Sequence, residues 1–320
     1  MSVTTHDIFG EGMRAQPAEP GTYGEPPRGD RLPDATRLGT VTLQIADLER
    51  SLAFYQDTLG FRIVEQSAGH AALTAHEDDR ILIELIERAG ARSAVRGRRL
   101  GLYHYAILLP DRAALGRFAR HLSLSDIPVA GSDHRVSEAF YLHDPDGLGI
   151  EVYADRPRGA WRRIGRELMI ATDPMDMRGV LSAALDQRWT GMPSGTVIGH
   201  VHLHVGDLSQ AAAFFSDALG FDRMTWRYPG ALFLGAGGYH HHLGTNVWAG
   251  PGATPAAADD AHLLEWTIEV PDARALAAVT HRLSTSGHAV RTYGNSEIAV
   301  RDPWGTAVRL RVSDNAGGPR

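Results

Sequence analysis

The chain has 320 residues, enough for two ordinary domains, and 43% apolar with 22% charged residues is typical of a globular protein. Its formal net charge of −6 argues against non-specific nucleic-acid binding, which needs a basic face. The absence of cysteine rules out disulfides, thiolate metal sites and cysteine nucleophiles, so any metal must be held by His, Asp or Glu. The N-terminal stretch is polar and no apolar run reaches membrane-spanning length, so the sequence predicts a cytoplasmic protein with no membrane partner.

Residues 1–35 are rich in Gly, Pro and charge, which predicts an N-terminal arm, partly ordered at most. A unit then recurs at residues 38–61, 102–122, 198–221 and 264–283. Each copy reads as a strand, a turn ending in Asp47, Asp111, Asp207 or Asp272, and an amphipathic helix for which that Asp is the N-cap. In the first and third copies the helix ends at Leu-Gly, a normal stop signal. Further strand-like segments follow each copy. Those after the second and fourth are split by the turns Asp144-Pro145-Asp146-Gly147 and Asp302-Pro303-Trp304-Gly305. The fold class is therefore α+β, built from four β-α-β-β-β modules. The expected organisation is an arm at 1–35, a two-module domain at 36–155, a linker with a helical piece at 156–197, a second two-module domain at 198–313 and a tail at 314–320. One such module leaves an open sheet edge and a half-covered apolar face, so modules should pair and the chain is expected to self-associate.

The third copy opens with the most informative stretch, Gly199 to Leu208. His200, His202 and His204 alternate with Val and Leu, so a strand would present all three imidazoles on one face. Such a face is a solvated surface or a metal-binding one.

Four modules carrying Asp47-Leu48…Phe54-Tyr55…Leu59-Gly60-Phe61 and Asp207-Leu208…Phe214-Phe215…Leu219-Gly220-Phe221 resemble the vicinal oxygen chelate superfamily. The resemblance covers about residues 36–313. Within it, the segments around Tyr103-His104, Ser132 to Arg158 and Gly199 to Asn246 are similar to two-domain, type I extradiol ring-cleaving dioxygenases of the bacterial catechol 2,3-dioxygenase kind.

That resemblance implies metal ligands at the start of a module's first strand and in its last strand. The first-strand positions are Thr40, His104, His200 and Glu265; the last-strand positions include Glu151 and Arg309. Copies one and four therefore offer a poor metal set. Copies two and three offer His104, Glu151 and His200, a two-His, one-carboxylate triad suited to Fe(II), with Mn(II) as the alternative. Extradiol enzymes draw all three ligands from their last two modules, so this set requires modules two and three to pair with each other and one with four. Taken alone, His104 would read as a satisfied core histidine, and a buried Glu151 demands a metal or an Arg.

The resemblance also places an acid–base histidine at His241 within the run Tyr239 to His242, a run that could equally be a surface cluster. Strand parity with Glu151 favours His241, and a one-residue slip would select His240 or His242. Tyr141, ten residues before Glu151, matches the family's substrate-binding tyrosine, and His134 its other pocket histidine. His202 and His204 are left as supporting or structural. Trp161, Arg162 and Arg163 either cover the pocket or pack the linker, Tyr103 and Phe140 read as core, and the remaining scattered histidines as surface. The implied activity is extradiol cleavage of a catechol-type or hydroquinone-type aromatic diol with O2. Two alternatives keep the fold. One is a glyoxalase-like isomerase or transferase, in which His241 becomes a fourth ligand to a Lewis-acid metal. The other is a non-catalytic small-molecule binding protein.

Overall fold

The computed structural model describes residues 3–10, 14–94, 98–125, 127–185 and 187–313. The expected tail at 314–320 lies outside them. All four modules have the β-α-β-β-β order. Module one runs through β1 (Arg37–Ile45), α1 (Leu48–Ala53), β2 (Arg62–Ser67), β3 (His70–Thr74) and β4 (Ile83–Glu87). Module two comprises β5 (Arg99–Leu108), α2 (Arg112–Leu122), β6 (Ala130–Asp133), β7 (Ser137–His143) and β8 (Gly149–Asp155). Module three comprises β9 (Val197–His204), α3 (Leu208–Ala211), β10 (Asp222–Thr225), β11 (Ala231–Gly235) and β12 (Leu243–Asn246). Module four comprises β13 (His262–Val270), α4 (Ala273–Thr285), β14 (Arg291–Tyr293), β15 (Glu297–Arg301) and β16 (Ala307–Val312).

The Asp turns do what the sequence predicts. Asp47, Asp111, Asp207 and Asp272 each accept from the backbone N–H three residues on, satisfying an otherwise orphaned donor of the first helical turn. In modules one and three the helix continues as a wider π-type turn, Phe54–Thr58 and Ala212–Ala218. Gly60 and Gly220 then turn the chain at φ of 81° and 103°, a region that favours glycine.

The modules pair in a nested order. One sheet runs β6-β7-β8-β5-β9-β12-β11-β10, joining modules two and three through the antiparallel β5–β9 contact. The other runs β14-β15-β16-β13-β1-β4-β3-β2, joining modules four and one through β13–β1. Within the first sheet, strand alternation sends Tyr105, Ile107, Val201 and Leu203 into a core shared with Val41, Leu43 and Trp266 of the second. The intervening residues of the same strands face the other way, and there the site is built.

The arm is better packed than its composition suggests. Phe9, Tyr23 and Leu32 are buried, the Tyr23 hydroxyl donates to the Gly238 carbonyl at 2.7 Å, and Glu25 exchanges backbone hydrogen bonds with Arg223. The arm also carries a short helix, Thr5–Phe9, capped by the Thr4 side chain, and a short strand, Gln16–Pro17, paired with Arg162 and Arg163. Within 156–197, Trp161 is buried and the helix Met177–Ala183 packs on α2.

Candidate metal centre

Four strands bring the site together in one cross-strand row. Tyr141 on β7 lies opposite Glu151 on β8, Glu151 opposite Ala106 on β5, and Ala106 opposite His200 on β9. Neighbouring strands lie about 4.8 Å apart, so Glu151 and His200 start roughly 10 Å apart with only a methyl group between them. They close over Ala106 until His200 Nε2 is 3.0 Å from Glu151 Oε2. His104, two residues before Ala106 on the same face of β5, brings its own Nε2 to 3.0 Å from the same oxygen. Ligand atoms of His104, Glu151 and His200 all lie within 4.8 Å of one another, and all three residues are buried.

This arrangement fits a metal ion. Two ligand atoms held at right angles about 2.1 Å from one ion are about 3.0 Å apart. His104 Nε2, although close to the carboxylate, has no aligned hydrogen-bond partner. Burial holds both imidazoles below their usual pKa, against the pull of Glu151. Burial alone would raise the Glu151 carboxyl, but His200 and His104 outweigh it and hold it well below the usual carboxylate range. Neutral imidazoles and an ionised carboxylate are the states in which these groups bind metals.

A bulge at Gly199 shifts the β5–β9 register and puts His200 on this face. A Cβ at Gly199 would fall 1.8 Å from the Tyr153 hydroxyl, so only glycine leaves room for the ring that packs on His200 at 5.0 Å. His202 sits directly opposite His104, is buried, and its Nε2 has no partner. The His204 Nδ1 meets Asn246 at 2.7 Å, away from the cluster.

The other expected site residues surround the cluster. His134 Nδ1 is 2.7 Å from the Ala171 carbonyl and so must be the donor there. Its Nε2 is then the acceptor for the Tyr141 hydroxyl, 2.6 Å away. Burial and nearby Glu151 raise the Tyr141 phenol well above its ordinary pKa, which keeps it a donor. His241 packs on His200 with ring centroids 4.1 Å apart and ring planes tilted by 45°.

Two expectations need correction. His240, His241 and His242 precede β12 instead of lying in it, so strand parity does not govern them. They are buried all the same, at 0, 6 and 7% exposure: Trp161 and Tyr239 close over His240, Tyr239 also packs on His242, and His200 and Phe233 pack on His241. Tyr103 is not core: the β5–β9 register shifts between His202 and Leu203, Tyr103 falls at that irregularity, and its side chain is 40% exposed and leans on His104, His202 and Trp248. Phe140 is buried as expected.

The cluster forms the floor of a cavity of about 890 Å³. Its walls include Ile170, Tyr228, Phe233 and Trp248, which the sequence did not single out because three of them sit in loops and Phe233 lies on a strand without a repeat-wide pattern. This combination of apolar walls and a few converging polar groups is typical of small-molecule sites. The corresponding face of the other sheet is different. Arg309 ion-pairs with both Glu265 and Glu297, and Thr42 donates to Glu84 at 3.0 Å. There a guanidinium supplies the cation.

The sequence model of the Glyoxalase/Bleomycin resistance protein/Dioxygenase superfamily matches residues 37–152 and 197–310. A catechol-2,3-dioxygenase of Bacillus subtilis (strain 168) is 44% identical over 272 residues, which cover 84% of this chain and 94% of that protein. The chain belongs to this superfamily. Its fold agrees: a solved structure from Bacillus subtilis subsp. subtilis str. 168 superposes with a TM-score of 0.60 at 15% identity, covering 90% of this chain and 87% of that one. Glyoxalase I from Zea mays gives 0.51 at 17% identity, over 87% and 92%. These likenesses show a shared fold, while the chemistry depends on the side chains that the fold carries.

Proposed function

We propose that the protein is a cytoplasmic, Fe(II)-dependent extradiol dioxygenase that cleaves a catechol-type aromatic diol with O2, with Mn(II) as the alternative metal. The observation that carries this reading is the His104–Glu151–His200 cluster at the floor of an aromatic-walled cavity. The named activity of the 44% identical relative supports it. His104, Glu151 and His200 would hold the metal, which would supply chelation of two vicinal oxygens and the electrons that O2 chemistry requires.

The chain's own residues do the rest. Tyr228, Phe233 and Trp248 sandwich a flat ring and exclude water from it. Tyr141, held by His134 and adjacent to Glu151, points its hydroxyl toward the oxygen of a bound diol and fixes the ring's orientation. His241 is buried, and burial, with His200 next in effect, holds it well below its usual pKa, so the resting ring is neutral; its place against His200 in the cavity supports a role as the group that takes a diol proton. Among the described residues the ligand-capable cluster comprises His104, Glu151 and His200 and not His241, which argues against His241 as a fourth ligand and thus against the isomerase alternative.

The test is oxygen uptake on adding catechol to protein reconstituted anaerobically with Fe(II), beside a His200→Ala control. Uptake matched by a yellow ring-opened semialdehyde, and lost in the control, is expected. No uptake across a panel of catechols and hydroquinones, with metal bound, would overturn the reading. Uptake that survives in His200→Ala would overturn the ligand set.

A further inference from the structure

Behind His241 lies a chain of buried polar groups that the reaction above does not use. His240 is fully buried, and its Nε2 is 2.8 Å from Asp155 Oδ1. Its Nδ1 is 2.7 Å from His241 Nδ1. Asp155 also accepts from the Tyr239 hydroxyl at 3.3 Å, and Tyr239 is 2.7 Å from the Tyr153 hydroxyl. Trp161 closes the far side, its ring 5.4 Å from that of His240.

The direction of every hydrogen bond here follows from one end. An ionised carboxylate can only accept, so Asp155 takes a proton-bearing Nε2–H from His240. A neutral imidazole carries one N–H, so the His240 Nδ1 is then a lone pair. His241 must donate to it from Nδ1. That leaves His241 Nε2 unprotonated, and it is the only ring nitrogen free to meet an occupant of the cavity that His241 lines. Free histidine in water prefers the opposite tautomer, with the proton on Nε2, so this state has to be imposed. We propose that Asp155 and His240 are a positioning pair that fixes His241 in its Nδ1–H tautomer and presents Nε2 as a ready proton acceptor. The logic is that of a carboxylate orienting a catalytic imidazole, with a second histidine as the connector. His240 and Asp155 touch neither metal nor substrate; they act through His241.

The tautomer can be read without turnover. The full-length chain, 15N-labelled at histidine and loaded with diamagnetic Zn(II), reports protonated and unprotonated ring nitrogens by their distinct 15N shifts. The expected result is a protonated Nδ1 and a bare Nε2 at His241. In His240→Phe, which keeps the ring volume and removes the acceptor, the proton is expected to move to Nε2. Asp155 has a side chain 27% exposed, so Asp155→Asn is the variant least exposed to folding failure, and it is expected to give a mixture of the two forms. Asp155→Glu, which keeps the carboxylate, is expected to restore the wild-type pattern. The kinetic arm rests on the dioxygenase reading. There His240→Phe is expected to lower kcat roughly 10²-fold or more, with KM changed by less than about twofold. A wild-type His241 protonated on Nε2, or a His240→Phe chain with unchanged tautomer, would overturn the proposal. If the tautomers behave as expected while no variant, wild type included, cleaves a diol, the positioning pair stands and the dioxygenase reading falls.

Discussion

Removing one member of the buried cluster should affect stability very differently from removing another. Glu151 is 2% exposed, and its Oε2 lies 3.0 Å from the Nε2 atoms of both His104 and His200. Without metal, the carboxylate is ionised and the imidazoles are held neutral by burial. His200→Leu takes away the one aligned hydrogen bond to a buried charge, worth about 1.5–3 kcal/mol, and leaves the carboxylate poorly satisfied. Glu151→Leu removes the charge itself and leaves two neutral rings in an apolar setting, a change expected to cost no more than about 1 kcal/mol. At about 2 °C per kcal/mol for a chain of this size, His200→Leu should lower Tm by roughly 5 °C and Glu151→Leu by about 2 °C or less. A metal at about 100 times its Kd adds about 2.7 kcal/mol, or roughly 5 °C, to the wild type and nothing to either variant. Thermal unfolding followed by circular dichroism, in EDTA and in saturating Mn(II), measures all of these. If Glu151→Leu is as destabilising in EDTA as His200→Leu, or if it keeps the metal-dependent increment, the electrostatic account of the cluster is wrong.

Three further outcomes follow from other parts of the molecule. Gly199→Ala drives a methyl into the Tyr153 hydroxyl, so Tyr153 must leave the His200 ring; Mn(II) affinity, followed by titration, should fall about 10-fold or more, and an unchanged Kd would refute it. Tyr141→Phe removes the hydroxyl that donates to His134; kcat/KM for a diol should fall about 10-fold with metal content unchanged, and a loss of metal instead would point to a role at the ligands. Asp144 in the Asp-Pro-Asp-Gly turn is pushed up to about 7 by burial, although it accepts from Leu148 N and Asp146 N. Because the folded value lies above the unfolded one, its contribution is fully present below about pH 4 and is lost as pH rises toward 7. Asp144→Asn should therefore stabilise the protein at pH 8 relative to pH 4 in urea unfolding, and a pH-independent difference would sink the argument.

The modules and their N-caps are legible because each is a local pattern repeated at fixed positions: Asp47, Asp111, Asp207 and Asp272 announce four helices by the same chemistry. His104, Glu151 and His200 are legible only through the ligand positions that the superfamily resemblance implies, compared across the four modules. The arm was misjudged because Phe9, Tyr23 and Leu32 are spaced without period, and their burial depends on distant surfaces. The histidine run misled for a related reason. Strand parity does not apply there, because the backbone of the run is irregular, and each ring is buried by its own neighbours: Trp161 and Tyr239 on His240, Tyr239 on His242, His200 and Phe233 on His241. Asp155 escaped notice because a carboxylate at the end of an apolar strand looks like a solvated terminus. Only tertiary contact makes it the partner of His240.

The nested pairing of modules also has a meaning in time. β5, β8 and β9 are separated by fewer residues than β1 and β13, so the inner sheet closes shorter loops and should form first. Val41 cannot find Trp266 until nearly the whole chain is present, whereas Ala106 and His200 can meet while the last module is still unformed. Once the inner sheet exists, it draws the outer modules toward each other and shortens the remaining search. Pulse-labelled hydrogen exchange during refolding should show amides of β5 and β9 protected before those of β1 and β13. On this route the candidate metal cluster of His104, Glu151 and His200 is among the earliest tertiary structures of the molecule, assembled before the fold is complete.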